Sequence, residues 1–264
     1  MRAAEILRHT SHRSWPPPAR PWIIHMIWRD LLFAHWPVAV KQLRAVVPQP
    51  LPIDIYDGSA WVGVIPFVMD MHARGLPLLR RTPELNVRTY STVEGKPGVY
   101  FFSLDLASTI GVLGARVGYG LPYWLARMGA SVDAHIAAMP GENETPGGET
   151  GLAPSPLIRY TSQRLSNPAS FRGRYRVTSA SIAEPQPGTL DHFLTERYCL
   201  YNVERGKIYR VPIHHLPWPL QPAEAEIELN TMAAACGIAL PEQEPVLHFV
   251  RKLDVLGWTP ERVR

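Results

Sequence analysis

Hydrophobic and polar residues alternate along much of the chain, and this alternation predicts β-strands that bury one face. The clearest case is residues 85–106, where two alternating runs flank the turn-forming sequence EGKPG at 94–98. Turn residues between two such runs are typical of a β-hairpin. Further strands are predicted at residues 60–71, 132–138, 157–164, 171–179, 198–203, 207–215, 225–230 and 246–256. Many short strands joined by turns predict a largely antiparallel sheet.

Helical spacing of hydrophobic residues is confined to a few short stretches. Val40, Leu43 and Val47 predict a helix over residues 36–47. Residues 23–40 are hydrophobic too, but charged residues and histidines interrupt them, so they do not predict a transmembrane helix. The other predicted helices are residues 110–118, 190–197 and 231–236. The predicted fold class is therefore α+β, mainly antiparallel β with small peripheral helices.

Composition supports short elements joined by frequent turns. The 264 residues include 27 prolines and 19 glycines, and 46% of the residues are hydrophobic, which is enough for a substantial core. Length alone allows one large domain or two small ones. Residues 1–22, with prolines at 16–18, are expected to form a flexible arm. Residues 139–156, rich in Pro, Gly and Glu, are expected to be a mobile hairpin loop, with an interdomain linker as the alternative.

Charge and motifs exclude several classes of function. The formal net charge is +4, but the basic residues are spread along the chain, so we expect neither a nucleic-acid partner nor a membrane partner. The first residues lack a secretory signal, and the expected localisation is cytoplasmic. Cys199 and Cys236 form no spaced pair, and the adjacent His214 and His215 point to opposite faces of a predicted strand. We therefore expect no metal and, in the absence of a nucleotide motif, no cofactor.

The predicted hairpin carries the candidate chemistry. Asn86, Arg88 and Tyr90 share one face of their strand, because alternate residues of a strand point the same way. Glu84 precedes them, and the opposite strand is aromatic at residues 100–102. Such a face predicts either a ligand pocket, in which Arg88 grips a carboxylate with its planar guanidinium, or a face exposed to solvent.

The hairpin sequence also carries a resemblance to a known family. Residues 82–90 (TPELNVRTY) and 95–105 (GKPGVYFFSLD) resemble the signature of the YqjF-like family of uncharacterised bacterial proteins. Further resembling segments lie at residues 115–116, 121–123, 194–198, 215–218, 247–249 and 253–255. The resemblance spans about residues 25–260 and implies a single domain over residues 23–264. It also implies the acetoacetate decarboxylase-like fold, a closed antiparallel β-structure around a central cavity with small helices outside.

One feature of that fold's best-known enzymes is missing from this chain. Acetoacetate decarboxylases use a Schiff-base lysine whose pKa is lowered by a second lysine. The segment that follows Ser103 holds no lysine pair, and none of the four lysines neighbours another. Imine chemistry is therefore not expected. The four are Lys41, Lys96, Lys207 and Lys252.

Three hypotheses of different classes remain. The first is a protein that binds a small, carboxylated metabolite in a central cavity through Arg88 or Arg116, with Asn86 and Tyr90, and with Ser103 and Tyr123 as further contacts. The second is a lyase or hydratase type of enzyme in which a buried Glu84 is the general base. The third is a structural or interaction module with a filled interior. Whether the chain forms a homo-oligomer is left open.

Overall fold

The computed structural model describes residues 3–133 and 155–263. Twelve strands and four short α-helices lie in these ranges. No helix in the described ranges is long and apolar enough to cross a membrane. The helices are α1 (Ala3–Ile6), α2 (Val40–Arg44), α3 (Thr109–Tyr119) and α4 (Leu190–Thr195), with a 3-10 turn at Ala234–Cys236. The strands are β1 (Ile24–Val38), β2 (Ala60–Ala73), β3 (Leu76–Val93), β4 (Lys96–Leu106), β5 (Tyr123–Asp133), β6 (Leu157–Arg164), β7 (Ser170–Val177), β8 (Cys199–Glu204), β9 (Lys207–His214), β10 (Gln221–Asn230), β11 (Val246–Gly257) and β12 (Glu261–Arg262).

Five long strands form the centre of the structure, in the antiparallel order β4-β3-β2-β1-β11. On one side, β8 and β9 connect β4 back to β11 and close a ring of seven strands in the part of the chain described. On the other side, β5, β6, β7 and β10 make the same connection and close a ring of nine. The predicted closed, mainly antiparallel structure is confirmed, although β4 pairs in parallel with both β5 and β8.

Each ring encloses its own hydrophobic core because alternate residues of the central strands face opposite ways. Leu85 and Val87 of β3 pack inside the nine-stranded ring, whereas Tyr90 packs inside the seven-stranded ring. In β1, Leu32 and Phe33 divide between the two cores in the same manner. The central strands are therefore buried on both faces where they separate the two cores, at residues 31–36 of β1, 60–70 of β2 and 84–91 of β3.

Burial on both faces also explains where the sequence-based elements differ from the structure. Hydrophobic and polar residues do not alternate regularly in residues 23–40, so the sequence did not indicate β1. This strand lies in the middle of the wall that the two rings share. The predicted helix over residues 36–47 is wrong in its first part, because residues up to Val38 complete β1 and only α2 is helical. Of the strand predicted at 132–138, residues 132 and 133 are described and form the end of β5, which begins at Tyr123. Residues 134–138 lie outside the described ranges. The loop predicted at 139–156 also lies outside them, apart from its last two residues.

The N-terminal segment packs on the seven-stranded ring, whereas the sequence predicted a flexible arm. Ile6 is fully buried against Leu256 and Trp258. Arg13 is 8% exposed and donates to the backbone oxygen of Ile213 at 2.7 Å. These two buried residues are separated by mostly polar residues and followed by prolines. The sequence therefore has no periodic pattern to indicate that the segment packs on the ring.

Candidate functional site

A cavity of about 390 Å³ lies inside the seven-stranded ring. Strands β1 to β4, β8, β9 and β11 contribute to its wall, and α3 covers one side. Its lining includes Ile110 and Leu78, which are 86% and 50% exposed, so the cavity opens to solvent between α3 and the β2–β3 hairpin. Apolar side chains dominate the wall: Met26, Trp28, Met69, Met71, Leu79, Val99, Phe101, Leu104, Leu106, Leu121, Leu200, Val211, Ile213, Trp218 and Trp258.

Arg88 is a positively charged residue of the cavity wall that has no acidic partner among the described residues. It lines the wall from the middle of β3 and is only 7% exposed. One guanidinium nitrogen, Nη2, donates to the backbone oxygen of Leu194 at 3.2 Å, and Nε is buried without an acceptor. Among the described residues no carboxylate forms an ion pair with it. The Phe33 and Tyr90 rings, whose centres lie 5.1 and 5.6 Å from the guanidinium carbon, compensate part of this buried charge. An anion would compensate it more fully.

Glu84 lies four residues before Arg88 on the same face of β3 and lines the same cavity. Its Oε2 accepts a hydrogen bond from the Tyr123 hydroxyl at 3.0 Å. Burial raises the pKa of Glu84 to about 8, against the opposing effect of the Tyr123 hydrogen bond. The carboxyl group is thus mostly neutral at pH 7 and does not neutralise the Arg88 charge.

Other polar residues reach the cavity near Arg88, and the sequence analysis did not select them as site residues. Thr195, Arg197 and His215 are part of the wall. The Arg197 guanidinium is paired with Asp54, so its charge is already compensated. Burial lowers the pKa of His215 to about 3, which keeps its imidazole neutral. These three residues lie in segments 194–198 and 215–218, which resemble the family signature. That resemblance was the one feature of the sequence that could have pointed to them as site residues.

The structure brings together only some of the predicted site residues. Glu84, Arg88 and Tyr123 line the cavity. Tyr90 and Asn86 lie on the same face of β3 but behind the lining, where the Tyr90 hydroxyl is 2.7 Å from His35 Nε2. Asn86 is buried, and its Oδ1 has no hydrogen-bond partner.

Ser103 and Arg116 are outside the cavity lining, contrary to expectation. Ser103 alternates with Leu104 and therefore faces the nine-stranded ring, where its hydroxyl contacts the Cys236 thiol at 3.5 Å. Arg116 is on the exposed side of α3, and its Nε donates to the backbone oxygen of Tyr123 at 2.6 Å. The spacing of hydrophobic residues in the helix sequence did not show which side of α3 faces the cavity.

The described residues contain no cluster of three histidine, cysteine or acidic side chains that could hold a metal ion. No lysine is among the side chains lining the cavity. Lys96 is half-buried in the β3–β4 turn region, with its Nζ 5.2 Å from the centre of the Trp15 ring. The cavity's described chemistry therefore combines the unpaired Arg88 guanidinium, the neutral Glu84 carboxyl group, a few further polar groups and a mostly apolar wall.

This arrangement of strands defines the class of fold. The chain is similar to acetoacetate decarboxylase from Legionella pneumophila, with a TM-score of 0.58 at 12% identity over 96% of this chain and 93% of that one. It is also similar to the enduracididine biosynthesis enzyme MppR in complex with pyruvate, with a TM-score of 0.55 at 12% identity over 96% and 93% of the two chains. These likenesses show the acetoacetate decarboxylase-like fold.

Sequence comparison identifies the family. The chain belongs to the DUF2071 family, described as "Uncharacterized conserved protein (COG2071)", whose model matches residues 25–254. The uncharacterized protein YqjF of Bacillus subtilis (strain 168) is 46% identical over 242 residues, which cover 90% of this chain and 91% of that protein. The resemblance found in residues 82–105 is thereby confirmed.

Proposed function

We propose that the chain binds a small carboxylate in the cavity of the seven-stranded ring, with Arg88 as the residue that holds the carboxylate group. The observation that carries this proposal is Arg88, 7% exposed and without an acidic partner among the described residues, in a mostly apolar wall. A ligand carboxylate would supply the missing counter-charge, and a guanidinium favours the bidentate geometry in which it donates to both carboxylate oxygens.

The neighbours of Arg88 support an anionic ligand. Burial, together with the Arg88 charge, lowers the pKa of His35 well below its ordinary value, so His35 stays neutral. The charge that a ligand would meet in this part of the core is therefore that of Arg88. The complex of the similarly folded MppR with pyruvate makes a carboxylate a reasonable occupant here too.

Free thiols at Cys199 and Cys236 are compatible with a cytoplasmic setting.

A second candidate function is proton transfer by Glu84 in an enzyme of the lyase or hydratase type. A pKa of about 8 lies close to neutral pH, where a carboxyl group can both donate and accept a proton. Glu84 lines the cavity that contains Arg88, so one ligand can meet both groups. On this proposal the reaction proceeds without a Schiff-base lysine.

Replacing Arg88 tests carboxylate binding. We expect Arg88→Met to weaken the binding of hexanoate about 10- to 150-fold by isothermal titration calorimetry, because a hydrogen bond to a charged group contributes about 1.5–3 kcal/mol. Arg116→Met is the matched control, since it removes the other candidate arginine from outside the lining. Equal affinities of the wild type and Arg88→Met would refute the proposed role of Arg88.

Borohydride trapping tests the absence of imine chemistry. We expect no covalent adduct when the protein is treated with borohydride and acetoacetate. An isolated exposed lysine has a pKa near about 10.4 and is almost wholly protonated at pH 7.4. Intact-mass spectrometry reports the adduct, with an acetoacetate decarboxylase as the positive control. A stoichiometric adduct on any lysine would contradict this expectation.

A further inference from the structure

The cavity is an elongated channel, and the strand pairing gives the order of its parts. Arg88 pairs with Phe101 of β4, and Glu84, roughly 13 Å away along β3, pairs with Leu106. Beyond Glu84, the register continues towards the mouth through Met69 and then Met71 of β2. The corresponding residues of β1 are Trp28 and Met26. All of these residues except Arg88 and Glu84 are apolar.

Polarity is therefore distributed unevenly along the channel. The charged group lies in the inner part, and Thr195, Arg197 and His215 also belong to the lining. By the same strand pairing, the apolar Val99 and Leu200 line the cavity beyond Arg88. The outer section, from Trp28 to the exposed Leu78 and Ile110 at the mouth, offers apolar side chains only. A ligand that matches this distribution carries one anionic head and a long apolar tail.

The volume sets the size of that tail. At about 30 Å³ for each water-sized group, a cavity of about 390 Å³ accommodates about thirteen non-hydrogen atoms, close to the size of decanoate. A three-carbon acid such as pyruvate would leave more than half of that space unfilled. Unfilled apolar space contributes no dispersion contacts and no burial to binding.

We propose that the ligand held by Arg88 is a medium-chain aliphatic carboxylic acid of roughly eight to twelve carbons, bound with its carboxylate inward and its chain towards the mouth. This proposal rests on the proposed function and names its ligand class. Met26, Met69 and Met71 line the outer section, and flexible thioether side chains adapt to an unbranched chain. Trp28, whose ring stacks on the buried Trp218 with ring centres 5.6 Å apart, adds an aromatic side chain to the apolar wall.

A homologous series of acids tests the proposal. Butanoate, hexanoate, octanoate, decanoate and tetradecanoate are titrated below their micellar concentrations, and the fluorescence of Trp28, Trp218 and Trp258 in the wall reports binding. We expect the affinity to rise about fourfold for each added methylene up to decanoate, as expected for a buried CH₂, and to stop rising by tetradecanoate. Decan-1-ol, which lacks the charge, should bind at least about tenfold more weakly than decanoate.

A variant that narrows the channel provides an independent test. Gly114 of α3 lines the cavity, and a Cβ added there would meet no atom within 4 Å. Gly114→Phe should weaken decanoate binding at least about tenfold and change the affinity for butanoate by less than about twofold. The reason is that only the longer chain needs the space that the phenylalanine ring would occupy. Gly118→Phe is the matched control: the same substitution one turn along the helix, equally unobstructed but outside the lining.

The outcomes separate this proposal from the one on which it rests. If butanoate and decanoate bind equally well and both lose affinity in Arg88→Met, the medium-chain proposal is overturned and carboxylate binding stands. If decanoate and decan-1-ol bind equally well to the wild type and to Arg88→Met, carboxylate recognition itself is overturned. Failure of every acid in the series to bind the wild type would overturn both.

Discussion

Wild-type protein is expected to lose roughly 4 kcal/mol of unfolding free energy between pH 4.5 and pH 8 through Glu84 alone. Burial raises the pKa of this carboxyl group from 4.5 to about 8. Between these two values the folded state holds a proton that the unfolded state has released, so stability falls as the pH rises. At pH 8 about half of the folded molecules still hold the proton, so the loss continues to about pH 9, where both states are ionised and the total is roughly 5 kcal/mol.

Glu84→Gln isolates this contribution. The amide is neutral at every pH and can still accept the Tyr123 hydrogen bond, so the variant should be the more stable protein at pH 9. Urea unfolding at pH 5, 7 and 9 measures the difference, with the exposed Glu242→Gln as control. Burial lowers the pKa of His214 and His215, but their effects cancel in the comparison. Parallel pH dependences for wild type and Glu84→Gln would contradict this account of the cavity.

Arg164→Met should lower the free energy of unfolding by about 3–5 kcal/mol, because it leaves a buried carboxylate without its cation. Arg164 Nε donates to Asp105 Oδ1 at 2.7 Å inside the nine-stranded ring, and the two residues are 4% and 0% exposed. Ser162 donates to the other oxygen of Asp105 at 3.0 Å. Desolvation already raises the pKa of Asp105 against the effect of Arg164, so without the arginine the carboxylate is strongly disfavoured.

Urea unfolding at pH 7 measures this loss, and an exposed arginine provides the comparison. Arg174 pairs with Glu226 on the surface of the same sheet, and Arg174→Met should change stability by less than about 1 kcal/mol. The double variant Arg164→Met with Asp105→Asn should recover part of the loss, since it removes both charges. Similar small effects for Arg164→Met and Arg174→Met would refute the importance of the buried pair.

Local periodicity identified strands such as β6, in which buried and exposed residues alternate. The β3–β4 hairpin, which is buried continuously over residues 84–91, was identified by the turn sequence at 94–98 between its two strands. By contrast, β1 is buried on both faces for much of its length, and a strand of that kind has no alternating pattern. Its position between the two rings depends on pairing with β2 and β11, which are distant in sequence.

The candidate site shows the same division between local and distant information. Strand alternation grouped Asn86, Arg88 and Tyr90 on one face of β3, because that grouping depends only on neighbouring residues. Of the three, only Arg88 lines the cavity, together with Glu84. The partner of Glu84, Tyr123, is 39 residues away and was suggested by family resemblance alone. Spacing could not place Ser103 or Arg116, because the side that each element turns towards the cavity is set by tertiary packing.

A crystal structure of the protein with decanoate tests the central claim most directly, because it locates the carboxylate and the chain together. The account predicts carboxylate oxygens within about 3.2 Å of the Arg88 guanidinium and the alkyl chain beside Glu84, Trp28 and Met69. A carboxylate bound elsewhere, or a seven-stranded ring filled by its own side chains with no ligand density inside, would contradict it.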